Sequence, residues 1–207
     1  MAKHDKISEA VVRRLPIYLR YLSYLQQNEV TTVSSQQMGK NLDVNPAQIR
    51  KDLSTFGDFG KKGIGYDVNY LVEKIRQILK LTDEIRVALV GAGHLGHAIS
   101  NYNAYLKDNM RIAAIFDNDP GKLGKEVAGI PIQPLNELAD TIAQRQIKLA
   151  IITVPAPAAQ SVCDQLTQAG IKGILNFAPT TIRAKKEVRI HYADVTSNLQ
   201  SLAYYLT

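Results

Sequence analysis

The sequence predicts an α/β protein in two parts: an N-terminal winged helix-turn-helix, then a Rossmann-type doubly wound parallel sheet. Three observations predict it. Residues 1–80 carry 13 Lys/Arg against 8 Asp/Glu, whereas residues 81–207 carry 12 against 11, so nearly all of the net +6 charge lies in the first part. Within that part, two helical stretches separated by a short turn run into the glycine-rich segment Phe56–Tyr66. The second part opens with a β-rich run that feeds directly into Gly91-Ala92-Gly93-His94-Leu95-Gly96.

Composition narrows the classes first. A chain of 207 residues fits one or two domains. With 45% hydrophobic and 21% charged residues it can build a core and is far from the disordered regime. No window approaches the roughly 18 apolar residues of a spanning helix, and MAKHDKISEA holds no apolar run suited to a secretory signal. The single cysteine, Cys163, excludes a disulfide framework and a multi-cysteine zinc site. The expectation is a soluble protein of a reducing cytoplasm.

Residues 1–80 form the first expected domain. Ser8 is placed to cap a short helix, and Pro16–Gln27 follows with Leu15, Tyr18, Leu19, Leu22 and Leu25 along one stripe; Pro16 suits a helix start or a kink. Thr31-Thr32-Val33 is β-prone, and Ser34 or Ser35 caps a helix carrying Met38 and Leu42. After the turn at Asp43-Val44, Asn45-Pro46 reads as cap and first residue of a helix reaching Thr55, with Ile49, Leu53 and Phe56 inward.

Helix, tight turn, helix is the arrangement that lays a second helix in the DNA major groove. At about 100° per residue, Lys51 stands opposite Ile49 and Leu53, with Ala47 and Ser54 beside it and Gln48 and Arg50 flanking. Small residues permit close backbone approach, while Gln, Arg and Lys offer donors to bases and phosphates. Phe56–Tyr66 then has four glycines and the adjacent Lys61 and Lys62, which suits a hairpin wing pressed against a phosphate backbone. The candidate DNA-binding residues are Ala47, Gln48, Arg50, Lys51, Ser54, Lys61 and Lys62. A helix from about Asn69 to Lys80 leads to the boundary.

Residues 81–194 form the second expected domain. Ile85–Val90 suits a buried parallel strand, the glycine motif opens a helix, and Arg111–Phe116 is a second strand ending in Asp117, 21 residues beyond Gly96. Strand, GxGxxG, helix, strand and acid in that order make a dinucleotide site: Gly91 for the tight turn, Gly93 for pyrophosphate approach, Gly96 for helix–sheet packing. The helix N-terminus favours phosphates. Asp117 is placed to accept from a ribose and to repel a 2′-phosphate, favouring NAD(H) over NADP(H). The strands Leu149–Val154 and Gly173–Asn176 end in Thr153-Val154-Pro155 and Asn176-Phe177-Ala178-Pro179, at the edge where such sheets bind ligands. The candidate cofactor-binding residues are Gly91, Ala92, Gly93, His94, Leu95, Gly96, Asp117, Tyr102, Thr153, Val154, Pro155, Asn176, Phe177 and Ala178.

Residues 195–207 form a C-terminal helix that Asp194 caps, with Leu199, Leu202, Ala203 and Leu206 on one stripe and nothing after it to cover them. The helix either packs on its own domain or crosses into a second subunit. His94 and His97 lack the partners of a metal site, Cys163 reads as a buried inert thiol, and no nucleophile elbow occurs. No candidate is catalytic.

Together the stretches Arg14–Tyr18, Pro46–Leu53, Phe56–Tyr66, Gly91–Gly96, Asp117–Pro120 and Ala169–Pro179 resemble the Rex family of redox-sensing transcriptional repressors over essentially the whole chain. The resemblance implies a homodimeric repressor that binds palindromic operator DNA and is released by NADH, with NAD⁺ competing. It also implies exchange of the C-terminal helix between subunits. At Lys62 the family's hairpin commonly carries arginine, and lysine keeps the charge without the bidentate fork.

Two other classes compete. An NAD-dependent dehydrogenase would need a general acid or base and a substrate domain, for which the chain has no candidates. A helix-turn-helix regulator binding coenzyme A would share the Rossmann part. For a sensor, NADH and NAD⁺ differ by one ring charge, so an apolar pocket at Phe177, Ala178 and Pro179 favours the neutral form. Tyr102 and Asp194, with Arg14 or Arg20 pairing Asp194 in one state only, are the expected switch, alongside the interface residues Leu199, Leu202 and Leu206.

Overall fold

The computed structural model describes residues 7–61, 64–102 and 109–206, the side chains of Lys61 and Tyr102 lying outside that description. The chain forms two units, Met1–Thr82 and Asp83–Thr207.

The first unit is a winged helix-turn-helix. Ser8 caps α1 (Glu9–Gln27), and the helix runs without a break through Pro16, where the sequence suggests a new start or a kink. Proline there removes one backbone donor, but Leu15, Tyr18, Leu19 and Leu22 on either side are buried and hold the turn in place. After β1 (Thr32–Val33), Ser34 and Gln37 form a reciprocal capping box at the start of α2 (Ser35–Leu42). Asp43 adopts φ 52° in the turn, and Asn45 caps α3 (Pro46–Ser54) with Pro46 at its first position. The turn is tight: a Cβ on Gly39 would lie 2.6 Å from the Val44 carbonyl oxygen.

The wing follows. β2 (Gly60–Lys61) and β3 (Gly65–Asp67) pair antiparallel, and β1 joins the far side of β3, giving the order β1-β3-β2. Asp67 caps α4 (Val68–Ile78). One core holds Leu15, Tyr18, Leu22, Met38, Ile49, Leu53, Leu71 and Ile75.

The second unit is a Rossmann-type sheet. In chain order it comprises β4 (Ile85–Val90), α5 (His94–Tyr102), β5 (Met110–Asp117), β6 (Glu126–Val127), β7 (Ile130–Pro134), α6 (Leu138–Gln144), β8 (Leu149–Ile152), α7 (Ala156–Gln168), β9 (Gly173–Asn176), β10 (Arg189–Tyr192) and α8 (Val195–Ala203). The strands lie in the order β10-β9-β8-β4-β5-β7-β6. Leaving out β6, that is the 3-2-1-4-5-6 order of dinucleotide folds, whose direction reverses between β4 and β8. Those strands and their parallel neighbours bury Ala88, Val90, Ala114, Phe116, Ala150 and Ile152, the continuous apolar runs of a sheet covered on both faces.

Three strands go beyond what the sequence predicts. β6 and β7 form an antiparallel hairpin through Ala128 and Gly129, both at positive φ (51° and 75°), as a two-residue primed turn requires. β10 adds a mostly exposed edge, parallel to β9. Among the described residues no helix is long and apolar enough to cross a membrane.

Candidate nucleotide and nucleic-acid sites

In the first unit α3 presents Ala47, Arg50, Lys51 and Ser54 to solvent, opposite buried Ile49 and Leu53. A groove of about 610 Å³ runs beside it, with Ser34, Ser35 and Gln36 from the start of α2, Arg50 and Ser54 from α3, and Asp58–Gly60 and Ile64–Tyr66 from the wing. Arg50 Nη1 donates to Ser35 Oγ at 2.9 Å, which aims the guanidinium along that groove. Lys62 lies outside the described residues, as does the side chain of Lys61.

Gln48 is turned the other way. Its Nε2 donates to Asp52 Oδ1 at 2.6 Å, on the inner side of α3. Asp52, which helical periodicity alone does not mark out, is fully buried and also accepts from Arg14 (2.6 and 2.8 Å) and from the Tyr18 hydroxyl (2.8 Å). Burial opposes its ionisation, but the bonds from Arg14, Tyr18 and Gln48 outweigh that and hold the carboxyl below the ordinary carboxylate range. Arg14 is thus committed to Asp52, whereas Arg20 is exposed. An acid at the i+4 position from Gln48, on the inner side of the helix, is the signal that the sequence offers for it.

In the second unit the three glycines differ in what surrounds them. Gly91 has φ +110°, and a Cβ there would lie 2.8 Å from the Thr153 carbonyl carbon. A Cβ on Gly96 would collide with the Gly91 carbonyl oxygen. Around Gly93 a Cβ would meet nothing within 4 Å, so the space above it is open. The first i→i−4 bond of α5 runs from His97 N–H to Gly93 C=O at 2.9 Å. The preceding N–H groups, at His94, Leu95 and Gly96, therefore face the end of the helix, where an anion is favoured.

Asp117 closes this loop from β5. It is 6% exposed; Oδ2 accepts from the Ala92 N–H (2.7 Å) and Lys122 Nζ (3.0 Å), and Oδ1 from the Asp119 N–H (2.9 Å). Burial pushes its pKa up, while the bonds from Asp119, Lys122 and Ala92 prevail and lower it. Three of roughly four acceptor positions of the carboxylate are thereby engaged. Thr153 Oγ1 donates to the Gly91 carbonyl at 2.7 Å, tying the end of β8 to the glycine turn. Asn176 is 1% exposed, and its side chain bonds the backbone of Ala178 and Thr180, shaping the turn after β9.

A second cavity, of about 500 Å³, lies at the carboxyl ends of β9 and β10. It is bounded by Leu95 on α5, by the turn from Asn176 to Thr181, and by the segment from Tyr192 to Thr196 that enters α8. The Tyr192 hydroxyl accepts from the Ile182 N–H (3.2 Å) and donates to the Ile182 carbonyl (3.0 Å), fixing the segment against that turn. Asp194 caps α8 through Ser197 N–H and Oγ, which lower its pKa. On α8 itself Val195 is 64%, Leu199 61% and Leu202 61% exposed, and Leu206 beyond it 84%. Tyr102 ends α5, its side chain outside the described residues.

Comparison with known proteins places this geometry. The family profile described as "CoA binding domain" matches residues 82–180, and "Putative DNA-binding protein N-terminus" matches residues 6–54. Over all 207 residues, and the whole of its relative, the chain is 91% identical to a redox-sensing transcriptional repressor Rex from Brevibacillus brevis. The chain belongs to the Rex family of redox-sensing transcriptional repressors. Like the rest of that family it is a DNA-binding regulator and not an enzyme. Two crystal structures of RSP share its fold. The one with β-NAD⁺ and operator DNA is 36% identical, with TM-score 0.90, covering 97% of this chain and 92% of its own. The one with β-NADH is 34% identical, with TM-score 0.88, covering 97% and 94%. The Rex relationship spans both units, which the nucleotide-domain profile alone does not.

Proposed function

We propose that this chain is a cytoplasmic homodimer that represses transcription by binding a palindromic operator when NADH is scarce, and leaves it when NADH binds. The observation that carries the reading is the shared cavity. Leu95 of the glycine loop and Asp194 to Thr196 at the root of α8 line one space, so a molecule filling it touches both the cofactor loop and the helix entering the partner. Pyrophosphate lies over Gly93 at the α5 N-terminus, held by the Gly91–Gly96 backbone. Asp117 takes the adenosine ribose with its remaining acceptor position. The nicotinamide reaches the wall formed by Phe177 and Ala178, beside Thr153, Val154, Pro155 and Asn176. An apolar wall favours uncharged dihydronicotinamide over the cationic ring, which is the basis of discrimination between NADH and NAD⁺.

On the DNA side, Ala47, Arg50, Lys51 and Ser54 face the major groove, with Gln48 at its margin, and Lys61 and Lys62 carry the wing to a phosphate. The apolar residues Leu199, Leu202 and Leu206, exposed in one chain, bury themselves in the second subunit. The switch joins Asp194, Tyr102 and Arg20, because Arg14 is held by Asp52. To move a dimer almost wholly between states, NADH must favour one by about 10⁴-fold, or roughly 5.5 kcal/mol, shared by two sites.

Fluorescence anisotropy of a labelled palindromic operator tests the reading, with NADH, NAD⁺ and coenzyme A titrated separately. NADH releases the DNA, NAD⁺ blocks that release, and coenzyme A does neither. Release by coenzyme A alone would transfer the site to the other nucleotide.

A further inference from the structure

The second unit carries 12 Lys/Arg against 11 Asp/Glu, yet its charge is sorted along the strands. At the amino ends of the sheet, opposite the cofactor edge, Arg86 and Arg111 are direct neighbours in register on β4 and β5. Lys148 immediately precedes Leu149, which pairs with Val87, and Lys172 immediately precedes Gly173, which pairs with Leu149. Arg111, Arg86, Lys148 and Lys172 therefore form one lateral row across four adjacent strands, β5-β4-β8-β9. Arg189, first residue of β10, pairs with Gly173 and so stands one residue beyond the row, and Arg145 at the end of α6 lies against Arg86 and Arg111 around a small hollow.

All four residues of the row are exposed. Among the described residues one acid, Glu84, is bonded into it, accepting from Arg86 Nε (2.8 Å) and Arg111 Nε (2.6 Å). Arg86 Nη1 also donates to the Arg145 carbonyl at 3.1 Å, which ties this end of β4 to the end of α6. Among the described residues, that one carboxylate set against the four cations leaves the row positive. Four strands span about 14 Å at the ordinary interstrand spacing, a length over which duplex DNA carries about eight phosphate charges. A straight row of cations on a rigid sheet edge matches a linear polyanion, and offers no enclosed apolar wall for a small ligand.

We propose that this amino edge of the Rossmann sheet is a second DNA-binding surface, which contacts the phosphate backbone of duplex outside the segment read by α3. The proposal rests on the operator-binding reading for its choice of polyanion. The contact is independent of sequence, because only backbone charges meet the row. It lengthens the protein's footprint beyond the operator and adds to the salt dependence of binding.

The test uses the full chain without NADH and two duplexes: one trimmed to the operator, one with long flanks. The variant Arg111→Gln/Lys148→Gln/Lys172→Gln removes three charges from exposed positions, and Lys148→Arg/Lys172→Arg keeps them. Both should bind NADH like wild type. The glutamine variant should bind the trimmed duplex normally and the flanked duplex more weakly. Its slope of log K against log salt on the flanked duplex should be shallower by roughly 2–3 for each subunit whose edge meets the DNA, about 5 for the dimer, at about 0.9 for each phosphate that the protein no longer neutralises. The Lys→Arg variant should retain the wild-type slope. Equal slopes for wild type and the glutamine variant on the flanked duplex overturn the proposal. So does a variant whose only loss is a melting-temperature rise given by inorganic phosphate, which would mark a small-anion site. If wild type fails to recognise the operator, the functional reading fails instead, and the same slopes on a non-operator duplex still decide the role of this edge.

Discussion

Arg14 on α1 grips Asp52 on α3 with two hydrogen bonds, of 2.6 and 2.8 Å, across 38 residues of sequence. α3 is thus clamped to the long helix behind it by a largely buried ion pair, which Tyr18 and Gln48 complete. Removing Arg14 leaves a buried carboxylate without its cation, at a cost of about 3 kcal/mol, the low end for such a loss because Arg14 is itself 26% exposed. Arg14→Ala should lower the melting temperature and weaken operator binding while NADH affinity stays unchanged. A variant melting like wild type would show that the clamp contributes nothing.

The same pair sets an acid limit. Because the folded pKa of Asp52 lies below its ordinary value, its contribution is complete above about pH 4 and is lost as pH falls through the lower folded value. Asp117 behaves alike. Acid unfolding followed by circular dichroism should be less steep in Asp52→Asn than in wild type, though that variant starts from lower stability. Identical acid slopes would remove Asp52 from the account.

The glycines separate structure from binding. Gly96→Ala places a Cβ against the Gly91 carbonyl oxygen, so it should destabilise the second unit by about 1–3 kcal/mol. Gly93→Ala meets no protein atom and should melt within about 1 kcal/mol of wild type, yet lose NADH affinity tenfold or more, about 1.4 kcal/mol. Calorimetric titration beside thermal melts distinguishes them; undiminished NADH binding by Gly93→Ala would move the pyrophosphate elsewhere.

Asp117→Ala removes the proposed ribose acceptor together with the anchor of the Ala92 N–H. Discrimination against NADPH should fall by roughly tenfold, about 1.4 kcal/mol, as read from the two dissociation constants. An unchanged ratio would assign specificity to another group.

Lys51→Ala should weaken operator binding by about 1–3 kcal/mol and leave NADH binding intact, both readable by anisotropy. Unchanged operator affinity would remove Lys51 from the reading face.

Both halves of the fold are legible in the sequence because their signals are local. The Ser34 cap, Asn45-Pro46 and the strand–glycine–helix–Asp117 order each determine conformation within a few residues. The β6–β7 hairpin is not, since Ala128-Gly129 lacks the Asn-Gly or Asp-Gly pair that marks such turns. β10 escapes for a related reason: an edge strand has one neighbour, and Arg189-Ile190-His191-Tyr192 carries no buried run. At the sites, the exposed side of α3 follows from helical periodicity. Asp52 does not, because its partner Arg14 is brought to it only by tertiary packing. The cavity joining Leu95 to Asp194 likewise depends on β10, which no local pattern announces.

The nine residues of α8, none of them buried, are fewer than the roughly 12–15 that let an isolated helix hold together in water. This segment therefore draws its order from whatever it lies against. A freshly synthesised monomer would carry a fraying tail, and thermal melts should sharpen and shift upward as protein concentration rises. Repressor abundance in the cell then sets not only operator occupancy but also how many molecules are finished sensors.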